Sequence, residues 1–408
     1  MQRALTRKQA VAVAAGVAAL TASVLAAAPA GAHAGTAGHA RDGGYSAADL
    51  RRDLAAVRAA GGGDVNVVAR VDRAGREPLR ARLGTAGPGS KAPVPWDPEF
   101  RIASTSKTFT AVVVLQLAAE HRLSLDDTVA HWLPGVVSGH GNDGRRVTVR
   151  DLLRQTSGIY DYVQDPDVQD RMLNHFDDNR FDDTPPEQLV AVAMSHPPLF
   201  APGSRWAYSN TNYLLAAMIA EKAAGGQSWQ ELVAHRVIAP LGLRRTYIPG
   251  ANPYLVGPHE RVTVTLPDGK TADLTEQSLQ HTADSGVVST PADLDTFFRA
   301  LASGRLLPPA LLAEMRTTVP YDDLPVPPAG TQGGYGLGLR VVPLTCGGTY
   351  DTHEGDGLGV YTRPVVSADG SRAVTLSVTT TTALVDQEKV DRAVQTLTDH
   401  AMCDDDAA

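Results

Sequence analysis

Apolar positions along the chain change period twice, and the changes outline an architecture. "SAADLRRDLAAVRAAG" (46–61) spaces its leucines and valine as one helix face behind a serine cap. "DVNVVARVD" and "REPLRARLGTA" read as strands around the turn "RAGRE". "RIASTSKTFTAVVVLQLAAE" (101–120) then reads as an amphipathic helix. From about 118 to 250 helical patterns dominate, broken by Pro and Gly: "VRDLLRQTSG", "PPEQLVAVAMSH", "NYLLAAMIAEKAAG" and "WQELVAHRVIAPLG". Strand patterns return beyond 260. "ERVTVTLPDGKTADL" predicts a hairpin, while "YGLGLRVV", "GDGLGVYTRPVV" and "SRAVTLSVTT" each predict a strand. Helices are predicted at "TPADLDTFFRALASG" and "DQEKVDRAVQTLTDHAM". Sheet material at both ends and helices between predict an α/β part, about 45–110 and 260–403, carrying a helical part, about 110–260, with a cleft between them.

Composition narrows the function. With 43% hydrophobic and 20% charged residues the chain is globular. A formal charge of −8, with no basic stripe interleaved with aromatics, argues against a nucleic-acid surface. "MQRALTRK", the uncharged "AVAVAAGVAALTASVLAAA" and the small-residue run "APAGAHA" predict a secretory signal over 1–32, removed on export, with no lasting membrane anchor. A Gly/His-rich linker (33–44) follows, and 404–408 form an acidic tail. Two cysteines, Cys346 and Cys403, fit an exported protein with one disulfide, two buried thiols being the alternative. No C-x-x-C, H-E-x-x-H or histidine cluster appears, so neither a metal nor a cofactor is expected.

Candidate chemistry begins at position 104. Lysine is rare here, with six among 37 basic residues, and only Lys107 has a serine three positions before it. One helical turn sets Ser104 and Lys107 side by side. A hydroxyl nucleophile needs a base for its proton and donors for the oxyanion. A lysine serves as that base only when burial or a neighbouring cation lowers its pKa. A serine cap and a solubilising lysine are the plain alternative. Downstream, "WAYSNTNY" offers Tyr208 and Asn210 on a turn, and "YDTHEGDGLGVYT" sets His353 and Gly355 on one strand.

Taken in order, Ser-x-x-Lys, Tyr-x-Asn and His-x-Gly resemble the motif set of penicillin-binding proteins and serine β-lactamases. The chain is similar to the class C β-lactamase and D-alanyl-D-alanine carboxypeptidase group, within it most like secreted carboxypeptidases. The resemblance extends through "LSLDDTVAHWLP", "VTVRDLLRQTSGIYDY", "PGSRWAYSNTNYLLAAMIAEKAAG", "STPADLDTFFRALASGRL" and "GYGLGLR". It implies an α/β (α+β) fold, mainly an antiparallel sheet flanked by helices with a largely helical second subdomain, as a single catalytic domain over 45–403. It also implies an acyl-enzyme on Ser104, with Lys107 and Tyr208 sharing proton transfer and Asn210 holding the acyl side-chain amide. The oxyanion would sit on the backbone N–H groups of Ser104 and Asp356, and Arg340 would bind a substrate carboxylate. A monomer acting on peptidoglycan stem peptides outside the cell, and sensitive to β-lactams, is the first reading.

Departures in the third motif qualify that reading. His353-Glu354-Gly355 has an acid where the relatives carry Thr or Ser, and Asp356 and Leu358 replace small or polar residues. Glu354 facing Arg340 would neutralise it and, with Asp356, repel a carboxylate. An esterase, a peptidase for D-amino acids or a β-lactamase of the same mechanism is the alternative, and an inactive binding protein the third reading. No G-x-S-x-G supports an α/β-hydrolase, and no helix follows "GYGLGLR" as a dinucleotide site requires.

Overall fold

The computed structural model describes residues 44–403 except 64, 266–268, 280, 321–332 and 381–385. The predicted signal segment, all but the last residue of the predicted linker, and residues 404–408 lie outside the described residues. Helix α1 (Ala47–Ala60) starts where Ser46 and Asp49 close a reciprocal cap. Strands β1 (Val65–Arg73), β2 (Leu79–Leu83) and β3 (Phe100–Arg101) follow. The long helices thereafter are α2 (Ser106–Ala119), α3 (Thr211–Ala223), α4 (Pro291–Ala302) and α5 (Gln387–Met402). Apart from a two-residue pair, Ser138–Gly139 with Asn142–Asp143, the remaining strands are β4 (Thr263–Thr265), β5 (Thr271–Asp273), β6 (Val288–Ser289), β7 (Val319–Pro320), β8 (Gly334–Tyr335), β9 (Arg340–Pro343), β10 (Thr349–Thr352), β11 (Gly355–Gly357), β12 (Val360–Ser367) and β13 (Arg372–Thr380).

Nine strands make one antiparallel sheet in the order β2-β1-β13-β12-β10-β9-β8-β7, with β11 on β12. Its α/β class and antiparallel character agree with the sequence expectation. Strand β1 pairs with β13 along its whole length, from Val65 opposite Thr380 to Arg73 opposite Arg372. Val67, Ala69 and Val71 alternate onto one face, where they meet Leu50, Leu54 and Val57 of α1 and Val390 and Leu397 of α5. A second core surrounds α2 and α3 and continues through Phe297 and Leu301 of α4 to Val366 and Ala373 of the sheet.

Three local expectations are corrected. Helix α2 is not amphipathic: every residue from Ser106 to Leu115 is buried, because α3, the helical segment over residues 229–238 and α4 pack around it. "YGLGLRVV" is a hairpin, β8 and β9, turned at Gly338 with φ +76°. A Cβ there would stand 2.5 Å from that of Ala111, so only glycine lets the turn touch α2. "GDGLGVYTRPVV" likewise folds back at Gly359, φ +69°, into β11 and β12.

Cys346 and Cys403 are bonded, tying the end of α5 to the β9–β10 turn. Closing a loop of 57 residues is worth on the order of 4 kcal/mol in the chain-entropy model. Replacing both cysteines by serine is expected to lower the unfolding free energy by about 2–4 kcal/mol in denaturant melts. No helix among the described residues is long and apolar enough to cross a membrane.

Candidate active site

The nucleophile turn is built by unusual backbone and by hydroxyls spent on tertiary contacts. Ser104 sits in a short 3₁₀ turn (Ala103–Thr105) that leads into α2. Ala103 before it has φ +47°, a left-handed conformation that costs a residue with a Cβ about 1–2 kcal/mol. Ala103→Gly is therefore expected to leave stability unchanged or slightly raised. The same change at buried Ala111 should cost about 1 kcal/mol, and chemical melts of both variants compare them. None of the hydroxyls in "STSKTFT" caps the helix. Thr105 Oγ1 donates to the His353 carbonyl at 2.8 Å, and Thr108 Oγ1 to that of Gly338 at 2.9 Å. Ser106 Oγ accepts from Val287 N at 3.1 Å, and Thr110 Oγ1 donates to the Ala283 carbonyl at 2.9 Å.

Lys107 is fully buried, which excludes a solubilising role. Its Nζ lies 3.0 Å from Ser104 Oγ, 2.7 Å from Asn210 Oδ1 and 2.9 Å from the Asp284 carbonyl. As an ammonium it donates to all three. As an amine it would keep the two carbonyl-type acceptors and turn its lone pair to the Ser104 hydroxyl. Burial lowers its pKa to about 8, opposed by the nearby charges of Asp284 and Asp161.

Asn210 opens α3 and is turned inward. Its Nδ2 donates to both oxygens of Asp161, at 3.2 and 3.0 Å, while its backbone N donates to the same carboxylate at 3.1 Å. Its carbonyl is thus fixed on Lys107 and one edge of its amide is committed within the protein. Burial raises Asp161 to about 6. Gln155, left-handed at φ +65°, accepts from Ser209 N at 3.0 Å and Asn212 Nδ2 at 2.6 Å, shaping the turn that presents Tyr208. Burial, followed by the neighbouring Tyr335, lifts the pKa of the Tyr208 phenol well above the ordinary value, with the Ser104 hydroxyl acting the other way. Its ring lies 4.9 Å from Lys107 Nζ.

The third motif joins two strand segments. Thr352 faces Val365 and Gly355 faces Thr362, so one register runs through His353, which stands opposite Pro364. Proline has no N–H to give, and the ladder lapses there. His353 Nδ1 lies 2.8 Å from the Glu354 carbonyl and so carries the proton, leaving Nε2 to accept from Tyr335 Oη at 2.9 Å. Burial, then the charge of Lys107, lowers its pKa to about 3, which keeps the ring neutral. A Cβ on Gly355 would come 2.0 Å from the Ile102 carbonyl, so the missing side chain lets β11 close onto the nucleophile turn.

Both acids of the motif have cationic partners. Glu354 forms an ion pair with Arg340 of β9. Burial works against its charge, but Arg340 and then Arg363 hold it down at about 2. Asp356 pairs with Arg363 Nη1 at 2.6 Å, and Arg363 Nη2 reaches Asp391 of α5 at 2.9 Å. The fold therefore gathers Ser104, Lys107, Tyr208, Asn210 and His353 around one point, with Arg340, Glu354, Gly355 and Asp356 in the adjoining wall. Sequence reading did not find Gln155, Asp161, Asp284, Tyr335 or Arg363. Among the described residues, no three or more His, Cys, Asp or Glu side chains are grouped to hold a metal ion.

An antiparallel sheet with helices packed against it, and a serine paired with a buried lysine where the nucleophile turn enters α2, defines the class of β-lactamase-like serine hydrolases. The chain matches the family described as Beta-lactamase over residues 48–398, and it belongs to that family. Among solved structures, a D-stereospecific amidohydrolase from a Streptomyces species superposes with a TM-score of 0.74 at 38% identity, over 83% of this chain and 98% of that one. Esterase EstB of Burkholderia gladioli is 33% identical over 209 residues, 50% of this chain and 51% of that protein. Penicillin-binding protein 4* of Bacillus subtilis is 31% identical over 168 residues, 41% of this chain. The matched stretch spans 34% of that last relative's length.

Proposed function

We propose that the protein hydrolyses amide or ester bonds of D-configured substrates that present no free carboxylate to the wall beside the nucleophile. The observation carrying this reading is the Arg340–Glu354 ion pair, which occupies the cation that a carboxylate would need. The similarity to a D-stereospecific amidohydrolase supports it.

In this mechanism Ser104 Oγ attacks the carbonyl carbon while its proton passes to Lys107 Nζ. The tetrahedral oxyanion is held by the backbone N–H groups of Ser104 and Asp356. Tyr208, kept as a neutral phenol by burial, relays the proton from Lys107 to the departing amine or alcohol, and the C–N or C–O bond breaks. Water then attacks the acyl-Ser104 ester and gives a proton to Lys107, the acyl C–Oγ bond breaks as Lys107 returns that proton to Ser104 Oγ, and the acid product leaves. The Cys346–Cys403 bridge supports a site of action outside the reducing cytoplasm.

A D-Ala-D-Ala carboxypeptidase is the second reading, favoured by Arg340 in the wall and by the penicillin-binding relatives. One experiment separates the two. Purified protein and Ser104→Ala are assayed on D-phenylalanine amide, a p-nitrophenyl ester and a D-alanyl-D-alanine peptide, with intact mass read during turnover of the ester. Amide and ester cleavage, with an acyl adduct absent from Ser104→Ala, is the expected result. Preference for the D-alanyl-D-alanine peptide would establish the second reading. No turnover and no adduct on any of the three would leave an inactive binding protein.

A further inference from the structure

Besides Ser104, Lys107 meets two oxygens, and only one of them is fixed by its own chemistry. The Asp284 carbonyl, 2.9 Å from Nζ, is backbone and can only accept. Asn210 carries an amide whose oxygen and NH2 have nearly the same shape, so either end would fit against Lys107. Asp161 decides between them. This buried carboxylate accepts from Asn210 Nδ2 with both oxygens, at 3.2 and 3.0 Å. Its Oδ1 also accepts from the backbone N–H of Asn210 at 3.1 Å and that of Val163 at 3.3 Å. With Asp161 at about 6 and Lys107 at about 8, the carboxylate is ionised wherever Lys107 sheds its proton. An ionised carboxylate offers no donor, so the NH2 must face it and Oδ1 must face Lys107, at 2.7 Å. A lysine amine has two N–H groups and one lone pair. Asn210 Oδ1 and the Asp284 carbonyl take the N–H groups, and the lone pair is left for Ser104 Oγ, 3.0 Å away.

We propose that Asp161 is a positioning residue of the reaction: it fixes the polarity of the Asn210 amide and so aims the Lys107 lone pair at the Ser104 hydroxyl. The assignment rests on the reading of Ser104 as nucleophile and Lys107 as its base. Turned over, the Asn210 amide would present Nδ2 to Lys107, and the amine would accept from it. Ser104 would then lose its base although no group had left the site. Lys107 is also faced by Tyr208 and Tyr213, whose rings lie 4.9 and 5.7 Å from Nζ, and by neutral His353. The Asp284 carboxylate beside it accepts from Tyr162 Oη at 3.2 Å and from Thr282 Oγ1. All of these are unchanged in the variants below.

Asp161→Asn keeps the shape and reverses the polarity. The new amide oxygen stays where the two backbone N–H groups need an acceptor, so its NH2 meets the NH2 of Asn210, and Asn210 turns over. Acylation by a p-nitrophenyl ester is followed against pH, and Lys107 is titrated directly by carbon NMR of protein labelled at its six lysines. The plateau rate should fall about 10- to 100-fold, as for other groups that orient a reacting side chain from behind. The rate midpoint and the Lys107 titration should both move below about 8, because the ammonium has lost an acceptor and a nearby negative charge. A site merely opened to water would move both upward. The exchanged pair, Asp161→Asn with Asn210→Asp, gives Lys107 an oxygen again and should recover the rate with a midpoint above about 8. It carries the test by itself if the single variant does not fold. A plateau within about twofold of wild type, a midpoint that stays or rises in Asp161→Asn, or an inactive exchanged pair would overturn the proposal. Lys107 titrating as expected in a protein inert towards the amide, the ester and the peptide would instead strike the hydrolase reading and leave Asp161 as the group that orients Lys107.

Discussion

Replacing Lys107 by methionine is expected to lower kcat/KM for an ester substrate by about 10⁴-fold, comparable to loss of a triad member in a serine hydrolase. Methionine keeps most of the buried volume, so the loss reads the chemistry of Nζ more than its packing. Some stability goes too, because Asn210 Oδ1 and the Asp284 carbonyl lose their donor, at about 1–3 kcal/mol for each group left unsatisfied. The stopped-flow acylation rate and a denaturant melt separate the two effects. The wild-type rate should rise with pH and level off above about 8, since below that value the ammonium retains the proton it must shed to receive the one from Ser104. Acylation by the methionine variant within tenfold of wild type would transfer the base role to Tyr208.

The second large effect concerns selectivity. Glu354→Thr removes the carboxylate that engages Arg340 and supplies a hydroxyl in the same wall. A charge-assisted hydrogen bond to a substrate carboxylate is worth about 1.5–3 kcal/mol, so kcat/KM for a D-alanyl-D-alanine peptide should rise by about 10- to 100-fold. Turnover of an uncharged ester should stay within about twofold, because its contacts do not involve this pair. Adding Arg340→Ala to the variant should cancel the gain. A peptide rate that stays flat or falls in Glu354→Thr would remove the ion pair as the determinant of substrate class. Asp356 contributes less than its charge suggests, because Arg363 already holds it.

What could be read from the sequence and what could not divide along a physical line. Ser104 and Lys107, Tyr208 and Asn210, and His353 and Gly355 each lie within three residues of a partner, so backbone geometry alone brings each pair together. Asp161, Asp284 and Gln155 reach the site across 49 to 177 residues, through contacts that no local spacing encodes. Arg363 lies inside a predicted strand with no motif around it, and only its place beside Asp356 gives it a role. Helix α2 misled because short polar side chains in its first turns resemble a solvent face, yet each hydroxyl is satisfied by a backbone group of the surrounding walls. The two long strand patterns broke at Gly338 and Gly359, where close packing against α2 and against the β4–β5 hairpin demands a left-handed turn. Glycine inside a strand pattern was the available signal.

The pairing of β1 with β13 also constrains how the chain reaches its native state. Strand β1 begins at Val65 and its partner ends at Thr380, so the central ladder joins segments separated by most of the polypeptide. Contacts so distant carry a large loop-closure entropy and slow folding. During synthesis β1 and β2 can pair early, but a two-stranded ribbon is marginal alone, and the apolar faces of α1 and β1 stay uncovered until the final strand and α5 have emerged. The nascent chain thus remains unfinished, and open to a chaperone or a translocation machinery, for nearly the whole time it is being made.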